Sequence, residues 1–266
     1  MAEPYFFAHF AGDPFFNMAF DEWMFARALG TPGSILLRLY SWDRGAVTFG
    51  YHQNLESAVR SSRLGDTPII RRITGGRALY HEPSEVTYSI AVNMAGPDCS
   101  RLAGSIPQVS RAIAGVLTAY LADLGISSEV VRGRSSGTVP AGRRHKAPCF
   151  ASYARHEIVS EGQKVVASAQ RRKEATIFQH GSIKINGAAP HPALPLGAGS
   201  KPVVADRVRP LSRASFERHA GLFRRSFGDF LGVRVRPGEL GESEKQEVEK
   251  RVEMVRRNFA VKRDIF

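Results

Sequence analysis

Residues 71–81 of this 266-residue chain read RRITGGRALYH, from Arg71 to His81. A glycine pair at 75–76 lets the backbone come close to a ligand and aim N–H groups at it. The flanking arginines suit an anionic head group, although an ordinary hairpin turn with solvated arginines would look the same. Upstream, PIIRRIT reads as a strand, and downstream VTYSIAV alternates as another. Two further β-rich runs, ILLRLYSW and AVTFGY, are separated by Asp43-Arg44-Gly45, which reads as a hairpin. Before them, Asp13-Pro14 is a helix start, and Phe16, Phe20, Trp23 and Met24 carry an apolar face to about Ala28.

Beyond VTYSIAV, Leu102, Ile106, Val109, Ile113, Val116, Tyr120 and Leu124 mark an amphipathic helix that Gly125 closes. ISSEVVR is a strand, and Arg132–Pro148, rich in Gly, Pro, Ser and Arg, is a loop or lid. HEIVS, KVVASAQRR and ATIFQHGSIKI form a three-stranded meander, and NGAAPHPALPLGAGSKP an extended surface segment. Phe216, Ala220, Phe223, Phe227 and Leu231 mark one helix, and Val248, Val252, Val255 and Phe259 a last one. The order is helix, strands, helix, strands, helices. This is an α+β fold, a mostly antiparallel or mixed sheet packed by helices, without the βαβ alternation of a Rossmann domain. The expected organisation is one domain over 1–266, its core at about 31–235 and a helical extension at about 240–266.

Hydrophobic residues make up 43% and charged residues 23%, the balance of a globular protein. No apolar run is long enough to span a bilayer, and the N-terminus does not read as a signal peptide. Two cysteines, Cys99 and Cys149, make a disulfide framework improbable and the cytoplasm the expected compartment. The formal charge of +12 favours acidic partners of any kind. No helix-turn-helix, zinc-finger or RNP-type signature accompanies it, so neither nucleic acid nor membrane is expected as a partner. GxGxxG and P-loop motifs are absent, and no Cys/His pair has metal-ligand spacing, so no metal is expected.

Three places could carry chemistry: the glycine pair, Cys149 and the run around Lys164. Cys149 follows the cluster Arg143-Arg144-His145-Lys146, and cations lower a thiol's pKa. A thiolate attacks thioesters well, and the new thioester keeps the reactivity of the old. A free cysteine is otherwise a small buried hydrophobe, the reading given to Cys99. Lys164, in GQKVVASAQ, opens a strand and could favour a nearby thiolate; as a lone lysine it could equally be a solvated strand end. Gln179-His180-Gly181-Ser182 would lie on the next strand across from it.

Together and in this order, RRITGGRALYH, NMAFDE, LRLYSWDRGAVTFGYHQN, EVTYS, CFASY, GQKVVASAQRR and QHGSI resemble the lipoate–biotin protein ligase superfamily, over about Phe15 to Ile185. The resemblance is greatest to its octanoyltransferases of the LipM type. It implies a fold like the catalytic domains of biotin protein ligase and class II aminoacyl-tRNA synthetases. It implies octanoyl transfer in lipoate biosynthesis, from octanoyl-acyl carrier protein to a lysine of a lipoyl-domain protein. The acceptor would be the glycine cleavage H protein or a 2-oxoacid dehydrogenase E2, and neither ATP nor metal would be needed. By the resemblance, Cys149 is the acyl-thioester nucleophile and Lys164 lowers its pKa and holds the acyl carbonyl. Arg72, Gly75, Gly76, Arg77 and His81 fall on the ligand-lining loop, with Ser168, Ala169, His180 and Gly181 also binding substrate.

The superfamily also contains ATP-dependent lipoate–protein ligases, which usually carry a third glycine where Arg77 stands here, and amidotransferases that would also use Cys149. A non-catalytic carrier-binding relative that kept the fold is a further alternative. This chain departs from its relatives at Ala167, where glycine is usual, at Glu82, where aspartate is common, and in the long stretch Arg132–Pro148. If the basic cluster steers an acidic carrier, neutralising Arg143, Arg144 and Lys146 weakens carrier binding at low salt, and the deficit disappears at high salt. Titration calorimetry at two ionic strengths checks this, and an equal loss at both contradicts it.

Overall fold

The computed structural model describes residues 3–58, 65–131, 157–184 and 211–263. The strands are β1 (Tyr5–Gly12), β2 (Ile35–Trp42), β3 (Ala46–Phe49), β4 (Ile69–Arg71), β5 (Leu79–His81), β6 (Val86–Asn93), β7 (Glu129–Val130), β8 (Ile158–Ser160), β9 (Gln163–Lys173), β10 (Thr176–Ile183) and β11 (Arg236–Pro237). The helices are α1 (Pro14–Leu29), α2 (Leu55–Ala58), α3 (Ile106–Asp123), α4 (Arg213–Leu231) and α5 (Glu242–Arg263). Eight strands form one sheet in the order β11-β1-β2-β6-β10-β9-β8-β7, and β4-β3-β5 form a second. In the large sheet the β11–β1 and β1–β2 pairs are parallel, and its other pairings are antiparallel. The α+β, mostly antiparallel expectation therefore holds, as does the β8-β9-β10 meander.

The hairpin expected around Asp43-Arg44-Gly45 does not form. β2 is buried along its whole length, and both of its edges are taken, by β1 and by β6. A continuous apolar run marks a strand covered on both faces rather than the first arm of an exposed hairpin. The chain instead crosses to the second sheet, where β3 pairs with β4 in parallel and with β5 antiparallel. At that crossing Gly45 leaves room for the Tyr80 hydroxyl, which a Cβ would meet at 2.2 Å. The glycine pair is likewise no hairpin turn: β4 and β5 lie on opposite sides of β3, and residues 72–78 carry the chain between them.

One face of the large sheet packs on α3 and α4 through Leu37, Tyr88, Ile90, Tyr120, Phe223 and Phe227. The other face carries α1, whose Phe20, Trp23 and Met24 meet Leu36, Ala91 and Phe178, with Val248 of α5 behind them. Phe15 and Met18 of α1 join Tyr40, Trp42, Ala46 and Ile70, which locks the second sheet against the first. β1, which the sequence pattern left unassigned, places Phe6 in one core and Phe7 in the other.

Helix α1 begins as the sequence indicates. Asp13 Oδ1 accepts from the backbone N–H of Phe15 at 3.0 Å and of Phe16 at 3.2 Å. Its other oxygen meets Arg44 at 2.7 Å. Replacing the cap, Asp13→Ala, is expected to lower stability by about 1 kcal/mol in urea unfolding; an unchanged midpoint would contradict the assignment.

Candidate active site

Between α1, the second sheet and the β9–β10 pair lies a narrow cavity of about 30 Å³. Seven of the residues expected from sequence line it: Arg72, Gly76, His81, Ser168, Ala169, His180 and Gly181. Met18, Leu79, Ala167 and Ala169 give it apolar walls, while Tyr40, Thr48, Thr87 and Ser182 complete it. The β9–β10 register explains why two separated motifs meet here, for Ser168 pairs with Gly181 and Ala169 with His180. Gly181 has no room for a side chain: a Cβ would come 2.6 Å from the Tyr88 ring and 2.9 Å from Ser168 Oγ.

The loop over the cavity is shaped by its arginines. Arg72 is buried; its Nη2 donates to the carbonyls of Gly75 at 2.7 Å and Arg77 at 2.8 Å, and its Nε to Gly75 at 3.1 Å. Arg71 donates to the carbonyls of Tyr51 at 2.5 Å and Gln53 at 3.0 Å. Both guanidinium groups therefore brace backbone, a different use from the anionic head group considered above. Gly76 has φ +88°, in the left-handed region, and a Cβ there would meet the Arg72 guanidinium at 2.7 Å. Gly50 lies beneath, where a Cβ would press on the Gly76 carbonyl at 2.1 Å. No such crowding applies at Gly75, where a Cβ meets nothing within 4 Å.

Two buried polar chains hold the walls. In the first, Thr74 Oγ1 lies 2.7 Å from His180 Nε2, and His180 Nδ1 lies 2.9 Å from Asp21 Oδ2. Asp21 also accepts from Arg38 Nη1 at 2.9 Å, Ser89 Oγ at 2.7 Å and the Tyr40 hydroxyl at 3.1 Å. Burial pushes the Asp21 carboxyl up, but the bond from His180 and the charge of Arg38 outweigh it, so the group stays ionised below its ordinary range. His180 Nδ1–H therefore donates to Asp21. Arg38, fully buried, also donates to Asn17 Oδ1 at 2.8 Å and to His9 Nδ1 at 3.1 Å.

In the second chain, His81 stacks on Trp42 with centroids 4.1 Å apart. Burial lowers its pKa, against the pull of Glu85, and it is neutral. Nδ1–H donates to Glu85 Oε1 at 2.6 Å, which leaves Nε2 to accept from Thr48 Oγ1 at 2.8 Å. Lys184, buried at the end of β10, lies 3.0 Å from both Glu82 and Glu85. Burial would raise Glu85, but Lys184 and His81 overcome it and hold its carboxyl down to about 2. Burial would likewise lower Lys184, and the two carboxylates instead keep its ammonium above the ordinary lysine range.

Lys164 is not among the cavity-lining residues. It sits near the start of β9 with its ammonium 2.5 Å from Glu157 Oε1. Gly75 and Arg77 take part through their carbonyls. Cys149, the basic cluster Arg143–Lys146, the stretch Arg132–Pro148 and the segment 186–202 lie outside the described residues. Cys99 is buried with its thiol on the carbonyls of Asn93 and Gly33, the structural role expected for it. Asp21, Arg38, Thr48, Thr74, Glu85 and Lys184 were not singled out as site residues from sequence. The signal was present: Asn17 and Asp21, four apart, interrupt the apolar face of α1, and Arg38 interrupts ILLRLYSW. Among the described residues no group of three His, Cys, Asp or Glu side chains could hold a metal ion, and no helix is long and apolar enough to cross a membrane.

A family model described as the lipoyl protein ligase A/B catalytic domain matches residues 13–213. The octanoyltransferase LipM of Kyrpidia tusciae is 34% identical over 258 residues, 90% of this chain and 90% of that protein. The octanoyltransferase LipM of Moorella thermoacetica is 37% identical over 176 residues, 64% of this chain and 61% of that one. Among solved structures, lipoate-protein ligase A bound with ATP superimposes with a TM-score of 0.70 at 17% identity, over 95% of both chains. A bipartite lipoate protein ligase of Thermoplasma acidophilum gives 0.69 at 15% identity, over 95% of this chain and 93% of that one. At such identities the structural likeness speaks for the fold alone.

The Glu85 carboxyl, held at about 2 against an ordinary 4.5, contributes stability that is complete above about 4.5 and drains away as the pH falls towards 2. Glu85→Gln is therefore expected to destabilise by roughly 3 kcal/mol near neutral pH, because it breaks a buried charge pair. In urea unfolding near pH 3 the difference from wild type should narrow. A gap of the same size at both pH values would refute the pairing.

Proposed function

This chain belongs to the lipoyl protein ligase A/B catalytic-domain family and is an acyltransferase, and from that premise we propose that it moves an octanoyl group from a carrier thioester to a protein lysine by way of Cys149. The observation that carries this reading is the narrow cavity beneath the Gly75-Gly76 loop, where Met18, Leu79, Ala167 and Ala169 present the apolar surface that a fatty acyl chain would meet as the site opens to it. The octanoyltransferase relatives, similar over most of this chain, support the same cargo.

In this reading the Cys149 thiolate attacks the carbonyl carbon of octanoyl-acyl carrier protein. The carrier thiolate leaves and takes a proton, and Cys149 holds octanoyl as a thioester. The neutral amine of a lipoyl-domain lysine then attacks; the amide forms, the amine proton is released and the Cys149 thiolate returns. Each acyl group arrives as an activated thioester, so no step calls for ATP or a metal. Backbone N–H groups of the glycine-pair loop supply donors for the oxyanion, and Lys164 favours the thiolate. A formal charge of +12 favours encounter with acidic carriers, and a glycine cleavage H protein or a 2-oxoacid dehydrogenase E2 is the acceptor class. The cytoplasm is the corresponding compartment.

Intact-mass measurement after incubation with octanoyl-acyl carrier protein tests this. An octanoyl adduct is expected on wild type and none on Cys149→Ala. An adduct that persists in Cys149→Ala would sink the covalent route. Attachment of free lipoate to a lipoyl domain that requires ATP and survives the substitution would instead make the protein a ligase.

A further inference from the structure

Among the described residues, three groups of lysine or arginine ion pairs are held away from solvent: Arg38 with Asp21, Lys184 with Glu82 and Glu85, and Lys164 with Glu157. The first two brace the cavity walls. The third is unaccounted for. Its side chains are 1% and 11% exposed, and Lys164 Nζ donates to Glu157 Oε1 at 2.5 Å. Buried pairs of this kind are weak sources of stability, since apolar residues of similar volume do as well or better. A pair that stability does not explain calls for a role in placing a charge.

The backbone around the pair is built for placement. The Glu157 carbonyl accepts from Val131 N–H at 2.8 Å, which ties it to the end of β7. Lys164 pairs with Val159, and the register slips by one residue between Ile158 and Val159. Such a bulge re-aims side chains at a strand end. Next to Lys164, the Val165 carbonyl accepts from Lys184 N–H at 2.8 Å. Three residues along β9 from Lys164, Ala167 begins the cavity wall. A lysine ammonium on a four-carbon stem is otherwise a mobile point charge, and a carboxylate at hydrogen-bond distance restricts it to one position.

We propose that Glu157 is a positioning residue for octanoyl transfer: its carboxylate holds the Lys164 ammonium at the start of β9, where that charge acts on the acyl-transfer step. This rests on the function proposed above, in which Lys164 takes part. In this proposal Glu157 acts through Lys164.

Two measurements test it. In single-turnover acylation by octanoyl-acyl carrier protein, Glu157→Gln is expected to slow the rate by about ten- to a hundredfold while half-saturation by donor stays within about twofold. Glu157→Asp should recover part of the rate, and Glu157→Gln added to Lys164→Ala should cause no further loss. Separately, peptide mass spectrometry after brief treatment with acetic anhydride reads Lys164 directly. Release from Glu157 should raise its modification about threefold or more in Glu157→Gln, with the other lysines unchanged. A Lys164→Ala enzyme that is slow beside a Glu157→Gln enzyme at full rate overturns the positioning role and leaves the transferase reading intact. So do losses that multiply in the double variant, or unchanged labelling of Lys164. If wild type forms no acyl adduct, the transferase reading fails, and a positioning role in that reaction falls with it even where labelling shows the pair.

Discussion

The carboxylate of Asp21 is the point on which the cavity depends. It sits in α1, almost wholly removed from water, and binds Arg38 of β2, Ser89 of β6 and His180 of β10, with the Tyr40 hydroxyl alongside. One side chain thus fixes a helix against three adjacent strands of the large sheet. Through His180 and Thr74 the same carboxylate reaches the segment that leads into Gly75-Gly76. Removing either partner of such a buried pair strands a charge in a poorly polarisable interior, a far larger penalty than the pair's net contribution to stability.

From that anchor the rest follows by geometry. Arg72 gathers the carbonyls of Gly75 and Arg77, and Gly76 takes the left-handed conformation that keeps its carbonyl over Gly50. His81, flattened on Trp42 and held neutral by burial, fills the wall between Thr48 and Glu85. The polar groups around the cavity are largely spent on one another, and what they leave facing inward includes Met18, Leu79, Ala167 and Ala169. On the function proposed above, such a site would grip a chain by shape and exclusion of water, and leave charge stabilisation to the backbone of the loop above it.

Much of this was legible in the sequence. The helix start at Asp13-Pro14, the β8-β9-β10 meander and the two late helices follow from capping and periodicity. RRITGGRALYH, GQKVVASAQRR and QHGSI point to seven residues that do share a cavity. Pairing partners were less legible, because strand propensity says where a strand lies and not which edge it joins. ILLRLYSW and AVTFGY are neighbours in sequence yet belong to different sheets. β1 escaped notice for a related reason: YFFAHFAG has little alternation, because Phe6 and Phe7 serve opposite cores. The carboxylate and lysine partners of the site were hidden in apolar blocks, where Asp21, Arg38 and Lys184 looked like interruptions. Their meaning appears only once burial forces each to find an opposite charge.

The central claim is that the cavity takes the acyl chain that Cys149 carries. The most direct measurement is a crystal structure of the enzyme trapped after reaction with octanoyl-acyl carrier protein. The account predicts continuous density from Cys149 Sγ through a thioester, with the chain lying between Met18, Leu79 and Ala169 beneath the Gly75-Gly76 loop. An octanoyl chain bound without a covalent link to Cys149, or attached there but lying outside that cavity, would contradict it.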